Sequence, residues 1–479
     1  MHSSLSLRAL SIACGFGLAS FSFSQLRVAT WNITNYSSGR DSAFQTALFS
    51  AFQGRSFNPD VLVAQELKGA SGVANFLNIL NSAPGQAGQW AAATPYLSTG
   101  DTDSGMFYRK NKVSFEGLSN ITGDPRATQR YDFHLLGYGA GSTVNPEISY
   151  YSSHLKAGST TDDQARRLTE ATNIRADADA IGSTRQIMIG GDFNVRSSSE
   201  AFFQKLTKTA TVGQFFDPIN SSYTGTGGNI TWYNTTNYRF LHTQDPYGAG
   251  GMDDRDDFIL TGGSLRDGKG LEYIGSKTAA YSTTTWDDSN HSYRVWGNDG
   301  TSFNTTLTTT GNTMVGATIA QALRDAVGNP DPANVGGHLP VFMDVMVPAD
   351  LVNDQSVLDF GTRMINTSSF LGLTTSNGVD AAVWGTAGVQ NLNYSFSVVG
   401  SGFIAPTGSF NLLAGQSLES FIQIDTSSTG FRSATLNVMD NVTGQIRQVA
   451  LSGTVAVPEP ASMLGLALGI GVLLRRRKK

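Results

Sequence analysis

The chain is short of several things. One cysteine in 479 residues, Cys14 inside the first apolar stretch, means that a chain processed beyond that point has none, so a disulfide framework and a cysteine-ligated metal are excluded. Charged residues are only 15%, against about 25% in an average soluble domain. The net charge of −5 understates the imbalance. Without Arg8, Glu459 and the five terminal bases, the body holds 27 bases against 37 acids, about −10. Binding a polyanion by bulk attraction needs the opposite sign, so any phosphate chemistry has to be done by local groups and a metal. Histidines number six, which makes each one conspicuous.

What is plentiful is glycine, with frequent Ser, Thr and Asn, a composition that suits a β-rich, loop-rich secreted protein. The length allows two or three domains with a substantial core. Residues 1–24 pair one base, Arg8, with an apolar stretch and small residues at Ser22 and Ser24, the pattern of a signal peptide cleaved near Gln25. At the other end Val457-Pro458-Glu459-Pro460 precedes about fourteen apolar residues and then Arg475-Arg476-Arg477-Lys478-Lys479. The apolar stretch is short against the ~20 residues of a stable span, and the bases would stay cytoplasmic.

Between these ends, apolar strands alternate with helical patterns, and each strand carries a polar residue at one end: Leu26 to Asn32, Val61 to Glu66, Ile148 to His154, Ile187 to Asn194, Asp257 to Leu260 and His338 to Val345. Helical spacing appears over residues 42–52, 73–80 and 162–181. This alternation predicts an α/β fold with its site along one sheet edge. In Ile187-Met188-Ile189-Gly190-Gly191-Asp192-Phe193-Asn194, strand alternation would put Asp192 and Asn194 on one face and Phe193 in the core. Taken alone, the pair is an ordinary turn cap. His154 and His338, each alone, are ordinary hydrogen-bonded histidines. Glu66 follows a buried Val-Leu-Val-Ala run directly, which suits a metal ligand.

Taken in order, Trp31-Asn32, Gln65-Glu66, His154-Leu155-Lys156, Gly191-Asp192-Phe193-Asn194, Arg255-x-Asp257-Phe258-Ile259-Leu260 and His338-Leu339-Pro340-Val341 resemble the endonuclease/exonuclease/phosphatase superfamily, the deoxyribonuclease-like proteins. The resemblance implies a four-layered α/β sandwich, two packed mixed sheets flanked by helices, over residues 25–347. It implies a Mg2+-dependent phosphoric ester hydrolase, with Mn2+ or Ca2+ as alternative ions. Glu66, Asn32 and Asp192 would be the metal group; Asp192 would activate water, Asn194 would bind the phosphate or that water, and His338 would touch the phosphate in a tautomer fixed by Asp257. His154 would be a second acid or phosphate donor, and Arg130 and Lys156 further phosphate contacts. The substrate would be nucleic acid, or alternatively a lipid or small phosphate ester, and the protein a monomer.

Two positions depart from the family pattern. Gly336-Gly337-His338 stands where the family has an aspartate before the last histidine, and Thr34 where some relatives carry an acid. Lower metal affinity or a catalytically impaired surface-binding protein would follow, and Gly337→Asp would then raise activity at low Mg2+; Asp331 is a conceivable substitute. Ser292 to Gly300 also resembles secreted bacterial relatives, without a catalytic role.

Pro348 to Asp354 reads as a linker. Residues 348–455 alternate with period two over Ala434–Val438 and Val449–Val455, predicting a small antiparallel, immunoglobulin-like β-sandwich; Leu358-Asp359-Phe360-Gly361 and Leu451-Ser452-Gly453-Thr454-Val455 resemble choice-of-anchor or Hydin-type modules. The tail at 456–479 resembles the PEP-CTERM sorting signal. It implies recognition by an exosortase, transient anchoring in the inner membrane by a short transmembrane segment, and export to the surface or exterior of a Gram-negative-type bacterium.

Overall fold

The computed structural model describes residues 25–95, 101–142, 144–208, 210–220, 231–248, 250–328, 336–386 and 388–458. The signal-peptide expectation for 1–24, Asp331, and the apolar and basic tail from 459 onward lie outside the described residues. Among the described residues no helix is long and apolar enough to cross a membrane.

Two mixed sheets form the larger unit. The first runs in the order Glu272–Tyr273, Val341–Met346, Leu26–Tyr36, Val61–Leu67, Asp103–Arg109, Trp90–Ala92, with Arg294–Val295 added beside Val341–Met346. The second runs Phe215–Phe216, Asp257–Gly262, Gln186–Asp192, Glu147–His154, Thr128–Leu135, Val113–Ile121. Each has a parallel pair at its heart, Leu26–Tyr36 with Val61–Leu67 and Glu147–His154 with Gln186–Asp192, flanked by an antiparallel strand. Parallel strands end at the same edge, so the polar residues at their carboxyl ends collect on one rim.

The sheets lie face to face. Tyr150 Oη crosses the interface to Ala29 O at 3.1 Å and Gln65 Nε2 to Ser152 Oγ at 3.0 Å, both fully buried. Gly190 is what admits Tyr150, since a Cβ there would stand 2.5 Å from the phenol oxygen. Helices Asp41–Phe49, Gly69–Ser82 and Gly316–Val327 cover the outer face of the first sheet. Thr161–Ile181 and Ala201–Lys208 cover the second. This makes four layers, as expected. Trp31, Tyr36, Phe44, Phe76 and Phe107 interlock edge-to-face under the first helices, with centroids 4.9–5.6 Å apart. Such pairs add roughly 0.5–1.5 kcal/mol each beyond their burial.

Several elements were not foreseen. The Gly316–Val327 helix and the outer strands Val113–Ile121 and Thr128–Leu135 fall in stretches read as polar or left unassigned. The segment Ser292–Gly300 has a bracing role. Arg294–Val295 pairs with the His338-bearing chain just beyond it, and Trp296 N donates to Pro340 O at 2.9 Å.

The smaller unit is a sandwich of two sheets: Leu351–Asn353, Phe370–Asn377, Ser417–Ile424, Phe403–Ile404 against Val357–Met364, Ile446–Ala456, Gly430–Asp440, Leu392–Gly400, Ser409–Leu412. Two expectations are corrected here. The sandwich is not wholly antiparallel, because Val357–Met364 lies parallel to Ile446–Ala456, with a register shift between Asp359 and Thr362. Gly361, at φ +60°, sits in that irregularity and its N–H is held by Asp359 Oδ1 at 3.0 Å. Nor is 348–354 a loose linker: Ala349, Asp350 and Leu351 are fully buried. The units are docked by Trp384, whose indole joins the larger core and donates to Leu136 O at 2.7 Å. Tyr138 Oη donates to Pro348 O at 2.8 Å and Ser142 Oγ to Asp350 Oδ1 at 2.8 Å.

Candidate active site

The rim where both parallel pairs end carries the cluster. Asn32 and Gln65 are register partners in the first sheet, and Asp192 is level with both His154 and Asp257 in the second. His338 enters just before Val341, which pairs with Thr30. Its carbonyl is pinned by Trp31 Nε1 at 2.9 Å.

Asp192 Oδ2 is the centre. Asn32 Nδ2 donates to it at 2.9 Å, and the Nε2 atoms of His154 and His338 stand 3.5 and 3.7 Å away. Burial pushes the Asp192 carboxyl up to about 7, against the opposing pull of His338. On the far side of His338, Nδ1 meets Asp257 Oδ2 at 2.7 Å, with Asp257 fully buried. The charges of Asp257, Asp192 and Glu66 hold the imidazolium well above its ordinary range despite burial. His154 is the opposite case. Burial, Arg126 and His338 drive it well below the ordinary value, and its Nδ1 is buried without a hydrogen-bond partner among the described residues.

Glu66 occupies a bulge. The pairing shifts register on both sides of it, and its own φ is +62°. A non-glycine residue in that region is uncommon and marks a site where position outweighs strain. The bulge aims the carboxylate at the rim, 3.9 Å from His154 Nε2, and Asn35 N and Asn32 Nδ2 donate to its two oxygens at 2.8 and 2.9 Å. Ligand atoms of Glu66, His154 and Asp192 lie within 4.8 Å of one another, and so do those of Asp192, Asp257 and His338. The donor set fits a hard divalent cation held by carboxylate oxygens and water at Glu66 and Asp192.

The expected residues therefore converge, with changes of role. Asn32 turns its amide N–H groups to both carboxylates, and its oxygen accepts Thr34 N at 3.0 Å. That network spaces Glu66 and Asp192: Asn32, expected in the metal group, faces both carboxylates through its N–H donors, while its oxygen is engaged by Thr34 N. Asn194 does not share a strand face with Asp192, because the strand stops at Asp192 and Asn194 is left-handed at φ +51°. Its N–H donates to Asp192 Oδ1 and its side chain to Leu155 O, both at 3.1 Å. Phe193 is in the core, stacked on Phe258 at 4.0 Å.

Arg130 is not a phosphate contact. Its N–H donors are spent on Asp132, on both oxygens of Asp177 at 2.8 and 2.7 Å, and on Ser119 Oγ. Lys156 is turned to the start of the Thr161–Ile181 helix, with Nζ on Ala157 O at 2.6 Å and Asp163 Oδ1 at 2.9 Å.

Gly337 also departs from expectation. Its φ is +73°, and a Cβ would press against Val327 at 2.6 and 2.8 Å. An aspartate restored there would be strained and crowded, so Gly337→Asp is not a simple repair. Asp245, beside Gly336, is an acid that the sequence reading passed over. The run Asp253-Asp254-Arg255-Asp256-Asp257 was read only for its last acid.

Two mixed sheets back to back, with a carboxylate–imidazole cluster on their shared rim, define a hydrolase fold of the kind that acts on phosphoric esters. A sequence profile of the Endonuclease/Exonuclease/phosphatase family matches residues 29–309, and the chain belongs to that family. The PEP-CTERM protein-sorting motif matches residues 456–478. No curated protein sequence matches the chain. Among solved structures, the chain is similar to humanized D. rerio TDP2, at 15% identity and TM-score 0.39 over 67% of this chain and 99% of that one. It is also similar to the human Nocturnin catalytic domain with bound sulfate, at 13% and 0.36 over 68% and 95%. The ASH/PapD-like domain of human CEP192 is similar to 23% of this chain, over 87% of its own length, at 14% identity and TM-score 0.20.

Proposed function

We propose that the protein is an exported, metal-dependent phosphodiesterase, and specifically a nuclease that hydrolyses extracellular DNA or RNA. The observation that carries this reading is Asp192 held between two imidazoles of opposite protonation state, with Glu66 alongside. A divalent cation, Mg2+ or alternatively Mn2+ or Ca2+, would be held by Glu66 and Asp192 and would neutralise phosphate charge. Asp192, once ionised, accepts the proton of a water aligned for attack on phosphorus. His338 keeps its proton against Asp257 and donates a hydrogen bond to a phosphate oxygen as charge develops there. Asn32 keeps the two carboxylates in register. The sorting motif supports export, with an exosortase acting on the tail.

Plasmid and RNA degradation with Mg2+, Mn2+, Ca2+ or EDTA, run beside sphingomyelin and bis-nitrophenyl phosphate, tests this. Cation-dependent loss of nucleic acid that Glu66→Gln abolishes is the expected result. Turnover of the lipid or the small ester alone would move the protein to the other branch of the family, and no turnover of any substrate would leave a binding protein.

A further inference from the structure

Beside His338 the chain has arranged for an acid to arrive from elsewhere. The segment around Asp245 is zipped to the one entering the site: Leu339 N donates to Thr243 O at 2.8 Å, and Tyr247 N to Gly336 O at 3.0 Å. Between those two bonds, Asp245 directs its carboxyl at Gly336. A Cβ on Gly336 would overlap Asp245 Oδ1 and stand 2.6 Å from Cγ. The carboxyl therefore fills the space that a side chain at 336 would take, while Val327 closes off position 337.

The carboxyl of Asp245 is half-buried, and among the described residues it accepts no hydrogen bond and meets no basic side chain in an ion pair. Its charged surroundings are His338, which favours ionisation, and Asp254 and Asp253, which oppose it; with burial the outcome is a carboxyl pushed up to about 7. Its oxygens are not among the buried atoms left without a partner, so solvent reaches the carboxyl where it packs on Gly336, and a hydrated ion could approach it there.

Resting on the reading of the site as a metal-dependent phosphodiesterase, we propose that Asp245 is a positioning residue of that site. It supplies from a neighbouring segment the negative charge that Gly336 and Gly337 cannot carry, and so strengthens retention of the hydrated divalent cation.

Binding of Mn2+ to the full chain, followed by the electron paramagnetic resonance of free Mn2+, tests this without reference to turnover. Wild type, Glu66→Gln, Asp245→Asn and Asp245→Glu are compared, each checked for folding by thermal unfolding. Asp245→Asn keeps the shape and removes the charge, and should weaken Mn2+ binding about tenfold, the lower end of what loss of an outer-sphere partner does, with an unchanged Tm. Asp245→Glu should retain more affinity than Asp245→Asn. Unchanged affinity in Asp245→Asn, or equal loss in both variants, overturns the inference. Failure of the underlying reading looks different: Glu66→Gln would still bind Mn2+ and still cleave.

Discussion

His338 and His154 approach the same oxygen of Asp192 from two sides, and the two sides are built differently. The His338 side has a buried carboxylate behind the ring at 2.7 Å. Among the described residues the His154 side has none, and its rear nitrogen is unpartnered. The same side chain therefore holds its proton in one place and stays neutral in the other. Environment assigns the roles, as it does wherever paired titratable groups are pushed apart. On the proposed function, one imidazole would face a phosphate as a cation and the other would accept or share a hydrogen bond.

The comparison can be broken most severely at its centre. Asp192→Asn removes both the base and the anion the two rings share, and should lower kcat/KM by about 10⁴-fold, the upper end for a general base. Asp257→Asn removes only the partner of His338. It should cost about 10³-fold and bring the alkaline limb of the pH–rate profile to lower pH. His154→Gln should cost about tenfold, the worth of one hydrogen bond. Equal losses in Asp257→Asn and His154→Gln would abolish the distinction between the two sides.

A pH profile sharpens it further. Cation binding at Glu66 and Asp192 has to displace the Asp192 proton, and burial raises that carboxyl to about 7 in the cation-free protein, so kcat/KM at sub-saturating cation should rise with pH through neutrality. The fall above that comes from His338. Asn32→Ala deletes a hydrogen bond that favours the Asp192 anion, so the rising limb should move to higher pH. The smallest change concerns the approach to His338: Gly337→Asp should destabilise the fold by about 1–3 kcal/mol in urea unfolding, from crowding against Val327, without improving cation affinity.

Much of this was legible in the sequence, because apolar strands that end in single polar residues report both the element and its pole. Phe193 in the core and the placing of Glu66 at a strand's end were read from that pattern, and the pairing of Asp257 with His338 from the family resemblance. What escaped depends on distant parts of the chain. Arg130 resembles a free base until Asp177, 47 residues on, is folded against it. Asn194 looks like a strand residue until its left-handed backbone is seen. Asp245 lies in a glycine- and aspartate-rich stretch whose only unusual property is the segment it is laced to. In the sandwich, period-two alternation gives strands but not their direction, so the parallel pairing of Val357–Met364 with Ile446–Ala456 was invisible.

The smaller unit is fastened to Leu136, Gly137, Tyr138 and Ser142, the turn that joins Thr128–Leu135 to Glu147–His154. His154 is at the other end of that last strand. The attachment and the chemistry thus occupy opposite poles, with Trp384 buried in the joint. A chain restrained by its final residues would hold its reactive rim outward, toward whatever drifts past, while the sandwich takes up the distance from the cell.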